Sequence, residues 1–439
     1  MMAVANDEKV ERGFRMNRLS SRLFWVAWAA MGVTTINSLV RIAASAEPHW
    51  NQFRGPHGSG GSELASLPLA FGEEQQIRWK TPIHGKGWSS PVIWDDQVWL
   101  TTAPEDGSQL YAVCVNLSDG QIEHDVSVFQ VDEPEFCHPT NSYASCTPYV
   151  EAGRVYVHFG TYGTACLDTR TGDVLWERRD LHCDHFRGPA SSPIVHGDNL
   201  FLNYDGVDIQ FVVALDKRTG ETVWKKDRDI DYGTDVGDSK KAYGTPSLIR
   251  VKDEWQLISP AAVETIAYAP NDGRPLWRVR HGGMNAAAPP LFEHGMVYIR
   301  AGEGDMSLIA LRPEGTDDIT STSVVWQVGK GVPNRSSPLI VGDYLFMVSD
   351  DGVASCLNAI NGDTVWSERL RDEHWSSPIH ANGLLYFCSK NGTVTVVEAG
   401  PEFVLRSKNV FAAGFNASPA IAGNELILRS FTHLYCISS

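Results

Sequence analysis

Residues 147–176 read TPYVEAGRVYVHFGTYGTACLDTRTGDVLW, and this stretch holds one complete unit of a repeat. It begins with a Thr-Pro pair, which indicates the start of a strand, since the missing N–H of proline is tolerated there. Alternating apolar residues follow over 154–159. A Thr-Gly turn then leads to Trp176, four residues after the glycine. The unit is predicted to be four short strands, with the tryptophan on the outermost.

A small residue followed by proline and a short apolar strand occurs eight times in the 439 residues. The pairs are Ser90-Pro91, Thr147-Pro148, Ser192-Pro193, Thr245-Pro246, Ala288-Pro289, Ser337-Pro338, Ser377-Pro378 and Ser418-Pro419. Successive prolines are 57, 45, 53, 43, 49, 40 and 41 residues apart. A period of roughly 40–50 residues on β-rich units is typical of propeller blades. We therefore predict an all-β fold, an eight-bladed β-propeller of four-stranded antiparallel blades, in preference to seven or nine blades.

The last repeat is incomplete and indicates how the ring closes. Residues 418–436 contain only three predicted strands. The segment Ile77-Arg-Trp-Lys80 precedes the first Ser-Pro pair and supplies a fourth, which would remove an exposed sheet edge. We expect a propeller over 77–439, closed by this N-terminal strand, and an N-terminal extension over 47–76.

The predicted outer strands carry tryptophans that we interpret as packing residues between blades. An indole combines a large apolar face with one N–H that needs a partner. A sugar-stacking surface is the functional alternative, which the periodic spacing disfavours. The set comprises Trp79, Trp176, Trp224, Trp277, Trp326 and Trp366. The pattern departs at position 124, where histidine stands in place of tryptophan, and at Trp326, which lacks the preceding glycine turn.

The first 46 residues have the features of a secretory signal peptide. Four arginines between 12 and 22 precede an apolar run over 23–33, and Ala44-Ser-Ala46 is a small-residue cleavage signal. Polar residues over 34–38 end the apolar run short of the roughly 18–20 residues that a membrane span needs, although an uncleaved anchor is the alternative. We expect a periplasmic or secreted monomer with no stable membrane span after cleavage. The net charge of −16 disfavours nucleic acid and anionic lipid as partners.

The repeats resemble the pyrroloquinoline-quinone (PQQ) propeller superfamily. The resemblance rests on the Ala-x-Asp strand end followed by Thr-Gly-x-x-x-Trp, and it covers 77–439. The superfamily includes quinoprotein dehydrogenases and the cofactor-free lipoprotein of the outer-membrane barrel-assembly complex. Residues 50–61, WNQFRGPHGSGG, resemble the start of exported PQQ-like repeat proteins of planctomycete-type bacteria.

Features of the dehydrogenase members are missing from the sequence. Those enzymes often have adjacent cysteines against the quinone, whereas none of the eight cysteines here are neighbours. No oxygen-ligand set for Ca²⁺ and no catalytic Asp are recognisable. We therefore predict no PQQ or Ca²⁺, except under the dehydrogenase alternative.

The loops before the inner strands are predicted to line the mouth of the central channel. Their side chains are donors, guanidinium groups and aromatic faces, which suit an anionic or polyhydroxylated ligand. The structural alternative is that they satisfy loop backbone and channel water. The candidates are Lys86, Trp88, Asn141, Tyr143, His185, Arg187, Tyr243, Asn285, Arg335, His374, Trp375 and Asn416.

The loops before blades 2, 3 and 4 also contain cysteines and clusters of His and Asp. Cys137 and Cys183 lie in polar loops before neighbouring blades and are predicted as a possible disulfide, with the strand cysteines reduced. The cluster of His182, Asp184 and His185, and the Asp-rich loop over 229–241, suggest metal ligands. Their spacing suits neither a zinc nor a calcium site, so no metal is predicted.

Two functions from different classes remain. The first, which we favour, is an exported non-catalytic propeller that binds a protein, peptide or glycan partner through its loop face. The second is a divergent PQQ-dependent alcohol or sugar dehydrogenase, which would need both a quinone and a base beside it.

Overall fold

The computed structural model describes residues 49–304 and 306–438, which form an eight-bladed β-propeller of antiparallel sheets, as predicted. The predicted signal peptide over 1–46 lies outside the described residues. Within the described part, no helix has the length and hydropathy needed to cross a bilayer. The helices of the described residues are four short turns, α1 (Thr320–Ser323) and three 3₁₀ segments (Pro56–Gly58, Gly160–Tyr162 and Gly237–Lys240).

Each blade is a meander in which consecutive strands pair from the channel outwards. Two strands precede the first blade, β1 (Gly61–Ser62) and β2 (Ile77–Pro82). Blade 1 comprises β3 (Val92–Trp94), β4 (Gln97–Thr102), β5 (Gln109–Asn116) and β6 (Ile122–Gln130). Blade 2 comprises β7 (Tyr149–Glu151), β8 (Arg154–His158), β9 (Thr164–Asp168) and β10 (Val174–Arg178). Blade 3 comprises β11 (Ile194–His196), β12 (Asn199–Asp205), β13 (Gln210–Asp216) and β14 (Thr222–Asp227). Blade 4 begins with β15 (Ser247–Val251), β16 (Glu254–Pro260), β17 (Glu264–Tyr268) and β18 (Pro275–Arg280).

The second half repeats this order with one insertion. Blade 5 comprises β19 (Leu291–Glu293), β20 (Met296–Arg300), β21 (Leu308–Leu311) and β23 (Val324–Val328), while the inserted β22 (Asp317–Asp318) pairs with β18 of blade 4. Blade 6 comprises β24 (Leu339–Val341), β25 (Tyr344–Val348), β26 (Val353–Asn358) and β27 (Thr364–Arg369). Blade 7 comprises β28 (Ile379–Ala381), β29 (Leu384–Cys388), β30 (Thr393–Glu398) and β31 (Leu405–Val410). Blade 8 contributes β32 (Ala420–Ala422), β33 (Glu425–Arg429) and β34 (His433–Ile437).

The N-terminal strand closes the ring as the sequence predicts. Strand β2 pairs antiparallel with β34, with Trp79 opposite Cys436 and Thr81 opposite Leu434. Both Trp79 and Cys436 are buried in the largest apolar cluster. The eighth blade is therefore built from both ends of the propeller, and β2 covers the edge that β34 would otherwise expose.

Each outer-strand tryptophan but one reaches into the next blade. The indole N–H of Trp224 donates to the Pro270 carbonyl oxygen at 2.9 Å, and that of Trp176 donates to the Lys217 carbonyl oxygen at 3.0 Å. Trp79, Trp326 and Trp366 make the equivalent bond to Leu117, Ala359 and Gly400. Trp277 instead bonds the side-chain oxygen of Gln256 in its own blade at 2.8 Å.

Hydroxyl groups beside the inner-strand prolines form a hydrogen-bonded ring. The backbone N–H of Ser90 donates to the Thr147 hydroxyl at 2.9 Å, and Thr147 N–H donates to the Ser192 hydroxyl in turn. Six such bonds run from blade to blade, including the one from Ser418 to Ser90 that crosses the closure. The two missing positions flank Ala288, which has no hydroxyl. The Ser/Thr-Pro repeat thus ties neighbouring inner strands together.

The segment predicted to be an N-terminal extension crosses one end of the central channel. This end is opposite the loops that precede the inner strands. We call residues 50–62 the N-terminal strap. Its backbone bonds Ile93 of blade 1 and Val150 of blade 2, and β1 pairs in parallel with β28 of blade 7. The Arg54 guanidinium, 1% exposed, donates to the carbonyl oxygens of Pro338 and Pro378. Burial lowers the pKa of Arg54 to about 9. The strap therefore links blades on both sides of the closure.

Candidate functional site

A central cavity of about 220 Å³ opens at the loop face, the end of the propeller where the inner strands begin. Its deeper wall carries hydroxyl groups of the Ser/Thr-Pro repeat, including those of Ser90 and Thr245, and its floor carries Phe53 of the strap. The proline of each repeat starts an inner strand, so the preceding residues are held at the rim. Twenty-one residues line the cavity, and charged side chains among them are Arg187, Arg335 and Glu303.

The structure brings eight of the predicted mouth residues together in this cavity. They are Trp88, Asn141, Arg187, Tyr243, Asn285, Arg335, Trp375 and Asn416. Each of the eight blades contributes one of them from the loop that leads into its inner strand. Arg187 and Asn141 come from the longer loops before blades 3 and 2, and the Asn141 amide donates to the carbonyl oxygens of Arg187 and Pro189. The two loops are therefore fixed against each other.

Four other predicted residues lie outside the cavity lining. The Lys86 ammonium donates to the Pro139 carbonyl oxygen and lies 5.3 Å from the Trp88 ring centroid. The hydroxyl of Tyr143 donates to the Glu135 carbonyl oxygen at 2.7 Å, which places this ring within the loop. His185 is buried beside Tyr204, and burial lowers the pKa of His185 to about 4. His374 is likewise buried, which lowers its pKa, and both of its ring nitrogens lack a partner in the described structure.

The guanidinium groups of Arg335 and Arg187 have different surroundings. Arg335 pairs with Asp350, and its guanidinium carbon lies 4.1 Å from the centroid of the Trp375 ring. The Lys390 ammonium lies 3.8 Å from the same centroid. Two cations therefore contact the Trp375 ring, and these contacts hold it in place at the rim.

Arg187 has hydrogen-bonding capacity to spare. Its nearest carboxylate oxygen belongs to Asp238 at 3.9 Å, beyond a good hydrogen bond, and its Nε is buried without a partner. Asp238 is instead bonded by Lys241, whose side chain is fully buried. Burial lowers the pKa of Lys241 to about 8. The Arg187 guanidinium is thus positioned to donate hydrogen bonds to an anionic group of a ligand at the cavity wall.

Other buried polar atoms of the lining also lack a protein partner. They are Trp88 Nε1, Asn285 Oδ1 and Asn416 Oδ1. The Asn285 amide group donates to the Glu303 carboxylate at 2.9 Å, so only its oxygen remains free. An unpaired buried polar group costs about 1–3 kcal/mol, which a ligand or water that pairs with it would recover.

Glu303 and Phe53 line the cavity but were missed by sequence reasoning. Glu303 follows β20 and reaches the mouth because its backbone pairs with that of Met284. The signal for this approach is Gly302, where a β-carbon would collide with the Met284 backbone. Phe53 belongs to the strap, whose position depends on partners nearly 300 residues away, and no local pattern indicates it.

The structure does not form the predicted disulfide between Cys137 and Cys183. All eight cysteines are free. The Cys137 sulfur lies 3.6 Å from the Arg187 carbonyl oxygen, whereas the Cys183 sulfur lies 3.5 Å from His185 Nε2 in a separate buried environment. The two sulfurs are held by different neighbours, so the loops meet without a covalent bond.

The residues considered as metal ligands are occupied by local hydrogen bonds. His182 Nδ1 faces the Thr161 carbonyl oxygen at 3.2 Å, and the Asp184 carboxylate accepts the Phe186 N–H. In the loop over 229–241, Asp231 accepts the Gly233 N–H. Among the described residues, no group of three His, Cys, Asp or Glu side chains converges as a metal site would require.

Comparisons with known proteins agree with this architecture. The family model described as outer membrane protein assembly factor BamB matches residues 70–224 and 208–439. The outer membrane protein assembly factor BamB of Yersinia pestis is 21% identical over 304 residues, which cover 66% of this chain and 71% of that protein. The crystal structure of BamB from Moraxella catarrhalis has a TM-score of 0.57 at 13% identity and covers 82% of this chain and 99% of its own. A europium-containing methanol dehydrogenase has a TM-score of 0.68 at 12% identity and covers 89% of this chain and 91% of its own. At these identities the two solved structures show the shared fold alone.

Proposed function

The chain belongs to the family of outer membrane protein assembly factor BamB, and on that premise we propose that it is an exported, non-catalytic propeller that binds a protein partner in outer-membrane assembly. The partner docks on the loop face. Acidic groups of the partner enter the central cavity, and its apolar side chains cover the surrounding loops.

The observation that carries this proposal is the composition of the loop face. Large apolar side chains are exposed in the loops around the cavity, among them Phe136, Phe186, Met306 and Phe431, with Phe136 60% exposed. Phe136 and Phe186 form a pair with ring centroids 6.0 Å apart, although they come from different loops. Aromatic residues, methionine and arginine are the types enriched at protein interfaces. An acidic protein that displays this set around two arginines is suited to a partner with apolar and carboxylate groups.

The cavity does not fit a quinone with its calcium ion. Calcium takes six to eight oxygen ligands and favours several carboxylates. Among the described residues that line the cavity, the only carboxylate is that of Glu303, which already accepts a hydrogen bond from Asn285. We therefore propose no step through such a group, and the dehydrogenase alternative serves as an outcome of the test.

Site-specific photocrosslinking in a Gram-negative host tests the docking face. A photoreactive phenylalanine analogue replaces Phe136 or Phe431, and in the matched control it replaces Leu405, which is exposed on an outer strand. We expect the same protein adduct from both loop-face positions and none from the control. The double variant R187A/R335A should lose the adduct and keep the melting temperature of the wild type, because both arginines are partly exposed.

Two results would overturn the proposal. One is an equal yield of adducts from Leu405 and from the loop face. The other is stoichiometric binding of PQQ in the presence of Ca²⁺ together with dye-linked alcohol oxidation, which would establish the dehydrogenase alternative.

A further inference from the structure

A second cleft, of about 420 Å³, lies at the opposite end of the inner strands from the loop face. It is formed where the inner strands of blades 1 to 4 end and the chain turns, and the strap forms its other wall. Phe53 and Thr245 line both this cleft and the central cavity. Its volume is in the range of about 300–1,000 Å³ found for small-molecule sites.

The lining of this second cleft is uncharged. Of the described residues that line it, none is Asp, Glu, Lys or Arg, although the whole chain carries a net charge of −16. Phosphates and carboxylates would find no lysine or arginine there, and burying such a group unpaired is costly. Three histidines line the cleft, but in the described chain they do not form a cluster that could hold a metal ion. The cleft therefore selects a neutral ligand.

Aromatic side chains provide the walls. Trp255, at the start of β16, exposes 40% of its surface, and its ring lies 4.5 Å from that of His196. Trp94 is stacked on His49 with ring centroids 3.9 Å apart, and the hydroxyl of Tyr149 is fixed by the Asn51 amide. The imidazole rings hold these aromatic faces in position at the cleft.

Polar groups with free hydrogen-bonding capacity lie between the aromatic faces. The Gln52 amide and the Trp255 indole N–H make no hydrogen bond to the rest of the described chain. His57 also lines the cleft and has a positive φ of 57°, a conformation that few non-glycine residues adopt. A non-glycine residue in this conformation persists only where its surroundings fix it, as functional sites often do.

We propose that this cleft binds a neutral, hexose-based oligosaccharide. The C–H face of a pyranose ring is apolar and packs on an indole, while its hydroxyl groups are neutral donors and acceptors that match an amide, an imidazole and an indole N–H. A peptide of apolar residues would use the aromatic walls and leave these polar groups unpaired. The site is independent of the loop face and of the function proposed for it.

Isothermal titration of the mature protein with cellotetraose, maltotetraose and chitotetraose tests the proposal. We expect at least one of them to bind saturably at concentrations up to about 10 mM. Trp255→Ala should weaken that binding by about tenfold, since an aromatic contact contributes up to about 1.5 kcal/mol. Gln52→Ala should weaken it by a smaller factor. Phe431→Ala removes an aromatic ring from the loop face and should leave it unchanged.

Each variant is compared only if it keeps the wild-type melting temperature. If Trp255→Ala is unstable, Gln52→Ala still tests the cleft. Lack of binding by all three neutral sugars, binding unchanged in both cleft variants, or preference for an acidic oligosaccharide such as tetragalacturonate would overturn the proposal. None of these results bears on photocrosslinking at the loop face, so the two proposals fail separately.

Discussion

The indole of Trp224 covers Gly273 of the next blade so closely that a β-carbon on Gly273 would lie 2.6 Å from the ring. Trp176 covers Gly220 in the same way, and Trp326 covers Gly362. The glycine-to-tryptophan spacing within one repeat therefore reflects a contact between two different blades. Where blade 1 has His124 in place of tryptophan, this imidazole occupies the position over Gly172 and Nε2 lies 3.2 Å from the Thr169 carbonyl oxygen.

Replacing Gly273 by alanine should destabilise the propeller by about 2–4 kcal/mol, as measured by urea unfolding. The β-carbon would have to displace the Trp224 ring, and overpacking costs about 1–3 kcal/mol. The positive φ of 69° adds about 1 kcal/mol of backbone strain.

Gly295→Ala is the matched control. Gly295 has a φ of 68°, but a β-carbon there would meet no atom within 4 Å. The control should therefore show the strain alone, about 1 kcal/mol. Equal losses in the two variants would mean that the contact between Trp224 and Gly273 contributes nothing.

The features that sequence reasoning recovered are those with a local physical cause. Alternating side chains, a proline at a strand start and a glycine at a positive φ each depend on a few adjacent residues, and their repetition predicts the blades. The strap has no such signature. Arg54 is positioned by the carbonyl oxygens of Pro338 and Pro378, 284 and 324 residues further along the chain.

The candidate site shows the same division. Trp88, Arg335 and Trp375 each stand three residues before a repeat proline, so a predicted strand start places them at the channel mouth. His374, one residue before Trp375, is buried instead because consecutive side chains in an extended segment point in opposite directions. Glu303 depends on a backbone pairing between two loops, which no repeat position encodes.

In the hydrogen-bonded ring beside the inner-strand prolines, removing the hydroxyl of Ser377 should destabilise the protein, whereas removing that of Ser337 should not. Ser377→Ala leaves the buried Ser337 N–H without its acceptor, which costs about 1–3 kcal/mol. Ser337→Ala removes a hydroxyl that has no partner in the described structure and should change the free energy of unfolding little. Thermal unfolding of the two variants tests this prediction. Equal losses of stability would show that the hydrogen bonds of the ring do not stabilise the protein.

The cysteines should all titrate as thiols. We expect eight free thiols per chain in denaturant for protein exported to an oxidising compartment, and slow labelling of the native protein, since seven of the cysteines are buried. Burial also raises the pKa of the partly exposed Cys137 to about 11, which leaves little reactive thiolate at neutral pH. A count of six thiols that rises to eight after reduction would instead indicate one disulfide. If the double variant C137S/C183S no longer shows this rise, the disulfide joins these two residues.

Acid should destabilise the propeller through its buried histidines. Burial lowers the pKa of His158 to about 3 and that of His185 to about 4. As the pH falls below the ordinary value of about 6.5, the unfolded chain takes up these protons first. Stability is therefore lost from about pH 6.5 down to about pH 4 for His185 and about pH 3 for His158. The loss should approach roughly 1.4 kcal/mol per pH unit for each histidine.

His158→Gln should make the decline from pH 7 to 5 shallower, as followed by urea unfolding at each pH. Identical slopes in the wild type and His158→Gln would show that His158 takes its proton equally well in the folded and unfolded chain.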